Sequence, residues 1–372
     1  MKKNFLLSLV TILVFFIIFF PFLNIVLGGV PLFNIFNLKI EDMVYVSKTQ
    51  INTSTTNFDE EYFDSISRCG KSENGNTNVI YRADRYGFRD INQNSKNYSD
   101  TDIIILGDSF GISSCVNFPN DLTTQLVKKT KNKKILNLSM GGTGPYVQSE
   151  MLKSLLKVTN TKFNTLIWIF YEGNDHEDIN ANFDKPIYRG HNYKIGFNKF
   201  QELQPHILSF SKINKKILDE YQVDYKIDKN PYIIKLKLFL SFYLRGFGTL
   251  VKYTKKYQPL LDNEKNYESI IENFDEYLLE RNVSDKIIYY LPRYTRLAYN
   301  KISHPQLSQL NDLKSIIKKV ALKHDFKFID GSDFFSEIKD PLSIFHYNLP
   351  THFNEKGHDL LAEHLKMNII NK

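Results

Sequence analysis

The sequence predicts an α/β fold: a parallel five-stranded sheet between two layers of helices, carried behind an N-terminal transmembrane helix. From residue 101 onward, short apolar runs alternate with amphipathic helical stretches, as strands and crossover helices do. The runs are apolar at consecutive positions, as expected of strands buried on both faces. At the other end of the chain, a long uncharged stretch follows two lysines.

That stretch runs from Phe5 to Leu27, 23 positions without a charge. A helix needs about 20 to cross a bilayer core. Lys2 and Lys3 precede it, which places the N-terminus in the cytoplasm by the positive-inside rule. Everything after about residue 30 is then periplasmic or extracellular. A cleaved signal peptide is the rival, but it calls for a shorter apolar region and a small-residue cleavage site. Either way the remainder is exported. An oxidising compartment allows the only two cysteines, Cys69 and Cys115, to pair; the alternative is two unrelated thiols. Residues 31–78, rich in Asn, Ser and Thr, read as a stalk leading into a strap.

The domain proper is expected at 79–372. Its first strand is Ile103–Leu106, and Pro119-Asn120-Asp121 opens a helix to about Lys129. A second strand covers 134–139 and a second helix about 146–158, with Met151, Leu155 and Leu156 apolar. The third strand is 165–171. A helix over 264–281 places Ile270, Ile271, Phe274 and Leu278 on one side. Strand four is 286–292, a helix spans 305–324, and strand five is 326–330. Asn354 caps the last helix. This order suggests a flavodoxin-like three-layer sandwich. The pattern breaks at about 180–262, an aromatic and lysine-rich insert. Lys235, Lys237 and Arg245 argue against a second span there, since each charge at bilayer depth costs about 2.5–3.5 kcal/mol. A lid, a helix on the membrane surface and a pair of packed helices all fit.

The net charge of +7 includes a cluster at Lys128, Lys129, Lys131, Lys133 and Lys134. No nucleic-acid motif accompanies it, so it reads as a solvated helix end. The nine histidines show no paired ligand spacing, and no metal or other cofactor is expected.

Four local features follow successive strands, at the sheet edge where open α/β folds bind ligands. Gly107-Asp108-Ser109-Phe110 sets a serine on a tight turn, with its hydroxyl exposed. Residues 137–145, Asn-Leu-Ser-Met-Gly-Gly-Thr-Gly-Pro, allow close backbone approach. Gly173-Asn174-Asp175 offers a side-chain amide. His352-Phe353-Asn354 places an imidazole just before the last helix, where it can act as a general base. Each is an ordinary turn by itself; the set and its order are not.

Taken together these blocks resemble the SGNH (GDSL-like) hydrolases, over roughly residues 79–178 and 286–366. GDSF fits the Ser block, SMGGTG the Gly block, EGND the Asn block and THFNEKGH the His block. Tyr81 to Arg89, ending Gly-Phe-Arg, is similar to the segment preceding the Ser block in exported bacterial members. The resemblance implies a serine esterase with Ser109 as nucleophile and His352 as base. It implies an oxyanion hole from Ser109 and Gly142 backbone N–H groups and the Asn174 side chain. Asp108 and Asp175 read as turn braces, and His346 and His358 as structural.

The family's last block usually carries an aspartate shortly before the histidine. Here Leu349 and Pro350 stand there. Three readings follow, in order of preference: a backbone carbonyl orients His352; Asp330, Asp333 or Asp340 substitutes; or the domain is a pseudoenzyme. The implied substrate is an ester-bearing small molecule or envelope glycan. An O-acyltransferase on envelope polysaccharide and a non-catalytic anchored scaffold are the alternatives. The implied partners are the membrane, through the N-terminal helix, and no nucleic acid.

Overall fold

The computed structural model describes residues 53–55, 63–67, 79–83, 88–89, 101–131, 133–176, 179, 259–299, 305–348 and 351–370. The apolar N-terminal segment, Cys69 and nearly all of the 180–262 insert lie outside these residues. Among the described residues, no helix is long and apolar enough to cross a membrane.

Three short strands, β1 (Thr53–Thr55), β2 (Phe63–Ser67) and β3 (Val79–Ala83), form an antiparallel sheet in sequence order. They fall largely in the segment read from the sequence as stalk and strap. Too few apolar residues alternate there for a period-two pattern to stand out.

The main sheet holds β4 (Ile103–Leu106), β5 (Ile135–Asn137), β6 (Thr165–Tyr171), β7 (Asp285–Leu291) and β8 (Lys327–Asp330). All pairings are parallel and the order is β5-β4-β6-β7-β8. Counted within the sheet this is 2-1-3-4-5, the order of flavodoxin-like folds.

Successive side chains of each strand feed two separate cores. Ile104 and Leu106 of β4, with Leu166, Trp168 and Phe170 of β6, face one side. There they meet three helices: α2 (Pro145–Thr159), α3 (Pro259–Glu280) and α5 (Pro305–Lys323). Ile103 and Ile105, with Ile167 and Ile169, face the other side. There they meet α1 (Leu122–Lys129), α4 (Tyr294–Tyr299), α6 (Gly331–Ser336) and α7 (Glu355–Ile370). A strand sandwiched this way has no solvent face, which is why its sequence is apolar without alternation.

Element ends differ from the sequence reading for local reasons. α1 begins at Leu122 rather than Pro119, because Asp121 is its N-cap and accepts the Thr124 N–H at 3.0 Å. β5 is shorter than 134–139, yet Leu138 N–H still reaches Ile105 O and Met140 N–H reaches Gly107 O. Asn354 caps α7 as expected, accepting the Gly357 N–H at 3.0 Å. Of the lysine cluster, Lys129 pairs with Asp359 and Glu363 of α7, and Lys133 lies 3.5 Å from Asp102.

Candidate active site

The strand order reverses around β4, so the loops after β4, β5 and β6 open onto one crevice at the carboxyl edge. The loop after β4 begins at Gly107 and carries Ser109. Asp108 is fully buried; its Oδ1 accepts the Phe110 N–H at 2.8 Å and holds the turn. Its Oδ2 is 3.4 Å from Ser109 Oγ, and the Asn174 side chain donates to the same carboxylate. Burial nonetheless pushes the Asp108 carboxyl up to about 6, against these donors.

Downstream, the serine loop is fixed by Arg89. Its guanidinium donates to the carbonyls of Ile112, Ser113 and Val116 at 3.0, 2.8 and 2.7 Å. Ser113 sits at φ 60°, and its Oγ accepts the Leu122 N–H at 2.9 Å, joining the loop to α1. Neighbouring Phe88 is buried in the core beneath α2 and α3.

The loop after β5 is tied to the serine loop by Asn137, whose amide donates to Gly111 O and Thr123 Oγ1, both at 2.9 Å. Gly141 lies directly against Ser109: a Cβ built on it would sit 3.6 Å from Ser109 Cβ. Gly142 follows at φ 76°, exposed, where a built Cβ would meet nothing within 4 Å. The positive φ is what favours glycine there. Thr143 and Gln148 hold the loop's far end, and Gln148 also accepts from Trp168 Nε1 at 2.6 Å.

Asn174 stands after β6. Glu172, just before it, is completely buried and receives Arg296 Nε at 2.8 Å, Tyr290 OH at 2.7 Å and the Arg293 N–H at 3.1 Å. Asp175 accepts the Tyr171 N–H at 2.8 Å. Gly173 runs under the Tyr171 ring so closely that a Cβ there would overlap it. The Asn174 loop is thereby pinned on both sides.

His352 arrives from the far end of the chain. Its backbone carbonyl accepts the His346 N–H, and the Asn354 N–H bonds Ile344 O, so the histidine loop pairs with the turn at 344–346. Its ring leans on Phe110, centroids 5.1 Å apart. His352 Nε2 is 2.8 Å from Ser109 Oγ, across 243 positions of sequence. Burial pushes this imidazole down to about 4, so at neutral pH it is uncharged and able to accept a proton.

The other face of the ring answers the question of the missing aspartate. None of the three proposed carboxylates reaches it. Asp330 caps α6 through the Ser332 N–H and pairs with Lys314 at 2.7 Å, while Asp333 and Asp340 are exposed. Nor is a backbone carbonyl the group beside Nδ1. That atom lies 3.5 Å from Cys115 Sγ, and Cys115 is disulfide-bonded. Sequence position gives no sign of this contact, which joins residues 237 positions apart.

His346 and His358 are buried behind His352. Burial pushes His346 down to about 4 and holds His358 well below the usual imidazole range. His358 Nδ1 is 3.4 Å from Ser113 Oγ. Among the described residues, no group of His, Cys, Asp and Glu side chains could hold a metal ion.

No family model matches the sequence, and no curated protein matches it. Solved structures do. An acetyl xylan esterase is similar at 13% identity over 72% of this chain and 99% of that one, with a TM-score of 0.36. A lipase/acylhydrolase from Enterococcus faecalis is 14% identical over 72% and 95%, TM-score 0.36. A psychrotrophic esterase from Pseudoalteromonas sp. is 12% identical over 73% and 97%, TM-score 0.38.

Proposed function

We propose that this chain is a serine esterase of SGNH type, working through an acyl-enzyme on Ser109. The contact between Ser109 Oγ and His352 Nε2 at 2.8 Å carries the reading. Ser109 Oγ attacks an ester carbonyl as its proton passes to His352 Nε2. The oxyanion is held by the N–H groups of Ser109 and Gly142 and by the Asn174 amide. Collapse breaks the ester C–O bond, and His352 returns its proton to the leaving alcohol. Water, deprotonated by the same ring, then releases the acid. Gly141 packed on Ser109 and Asn174 bonded to Asp108 support this assignment, since both donor loops stand beside the nucleophile.

The uncharged stretch from Phe5 to Leu27 supports a single-pass anchor, with the domain on the outer side of the membrane. An ester-bearing molecule or an O-acylated envelope glycan is the proposed substrate.

Labelling by a fluorophosphonate probe tests the chemistry. Wild type should label; Ser109→Ala should not, and His352→Ala should label at least a hundredfold more slowly. Equal labelling of wild type and Ser109→Ala refutes the assignment. A second reading, an anchored pseudoenzyme, draws on the lack of any carboxylate at His352 among the described residues. Absence of labelling in well-folded wild type would favour it. Hydrolysis of p-nitrophenyl acetate with and without sugar acceptors separates a hydrolase from an O-acyltransferase.

A further inference from the structure

A neutral imidazole has one N–H and one lone pair, and for base catalysis the lone pair must lie at Nε2, facing Ser109. Nδ1 must then carry the hydrogen, and something must receive it. In this structure the atom beside Nδ1 is Cys115 Sγ, at 3.5 Å. That is an ordinary separation for a sulfur acceptor, and Cys115 is only 4% exposed.

The sulfur is also held in place. Val116 and Ser113, on either side, have their carbonyls clamped by Arg89, and the Ser114 N–H bonds the carbonyl of Ser109 itself. The nucleophile and the sulfur therefore belong to one rigid loop. His352 bridges the two, Nε2 to the hydroxyl and Nδ1 to the sulfur.

We propose that Cys115 is the positioning residue of His352, its disulfide sulfur accepting the Nδ1–H in the place a carboxylate commonly fills. The proposal rests on the serine–histidine reading above. A disulfide sulfur is a weak, uncharged acceptor. It fixes the tautomer and the ring's orientation, and it adds little stabilisation to the imidazolium formed in the transition state. The ring, its basicity lowered by burial, stays neutral into acid. Among the described residues, the groups facing it are Asp108 through Ser109 on the serine loop, His346 on the adjoining turn, and His358 on α7 with Arg89 behind it.

The experiment compares four full-length forms in detergent: wild type, Cys69→Ala, Cys69→Ala/Cys115→Ala and Cys69→Ala/Cys115→Asp. The last three all lack the bridge, since the chain has no other cysteine. They differ only in what faces Nδ1: a thiol, a methyl or a carboxylate. kcat and KM for p-nitrophenyl acetate, the pH profile of kcat, the melting temperature and the ¹⁵N ring shifts of His352 are measured on each.

Loss of the sulfur in the Cys115→Ala form should lower kcat at least about tenfold below Cys69→Ala, within the ceiling of about 10⁴ set by a wrong tautomer. KM should not change. The Cys115→Asp form should recover that loss and move the acid limb upward by about one to three pH units. Equal kcat and equal pH profiles in all three bridgeless forms, at matching melting temperatures, would overturn the proposal and leave the bridge a staple. If wild type shows no esterase activity and no labelling, the serine reading fails. The ring shifts then decide the contact alone: a single Nδ1–H tautomer lost in the Cys115→Ala form supports it, and the same tautomer mixture in both overturns it.

Discussion

Arg89 Nη2 donates to the carbonyl of Val116 at 2.7 Å, the shortest of three bonds by which one guanidinium holds the loop after the nucleophile. Arg89→Met leaves the Ile112 and Val116 carbonyls without a donor, while Ser113 O keeps the Val116 N–H. At about 1–3 kcal/mol for each buried group left unsatisfied, the variant should lose at least about 2 kcal/mol in denaturant unfolding. Probe labelling of Ser109 should slow with it. Arg89→Lys should not rescue either, because an ammonium lacks the planar fork that reaches three acceptors.

Asn174 donates to Asp108 and is proposed to donate to the oxyanion. Asn174→Ala should lower kcat by about 10²–10³ with little change in KM. The Asp108 carboxyl, deprived of one donor to its charged form, should titrate above its present value of about 6. Both shifts are readable, one by steady-state kinetics and one by ¹³C carboxyl NMR. An unchanged kcat would remove Asn174 from the site.

The pH profile has a defined sign. His352 must be neutral to take the serine proton, and burial holds it down to about 4. In Asp108→Asn, where no carboxyl beside the hydroxyl titrates, kcat/KM should therefore stay level from pH 7 to about pH 5 and fall with a midpoint near 4. Asp108 titrates higher, at about 6, and bonds the same hydroxyl. A midpoint between 6 and 7 that survives in Asp108→Asn would contradict the assignment to an uncharged His352.

Glu172 and Arg296 form a buried ion pair at the end of β6. Glu172→Gln keeps the shape and leaves the guanidinium uncompensated, which typically costs about 3–5 kcal/mol. The melting temperature should drop by about 10 °C. Arg296→Met should cost a similar amount, and the double variant less than the sum, since each single change already breaks the pair. Additive losses would show that the two side chains stabilise the fold separately.

Much of this architecture is legible in the amino-acid sequence. The strands at 103–106 and 165–171 stand where the apolar runs are, because burial on both faces leaves an unbroken hydrophobic signature. Ser109, His352 and the two donor loops are legible for another reason: each is a turn residue placed just past a strand or before a helix. What escapes is whatever depends on distance between remote segments. Nothing in the residues around Cys115 says that an imidazole 237 positions later will lie against it. The partner of Glu172 is hidden in the same way, 124 positions on. The turns at 341–348 and the short helix α4 carry too few residues for a period to be read.

Phe88 has a consequence for where this domain can be cut. It is 1% exposed and packs among residues of the sheet and its helices, although it precedes the first strand of that sheet. A fragment beginning at Thr101 would retain every parallel strand and still carry a vacancy the size of a benzyl group. The autonomous folding unit therefore starts upstream of the α/β repeat, and an expression boundary chosen from strand periodicity alone would yield an incomplete protein.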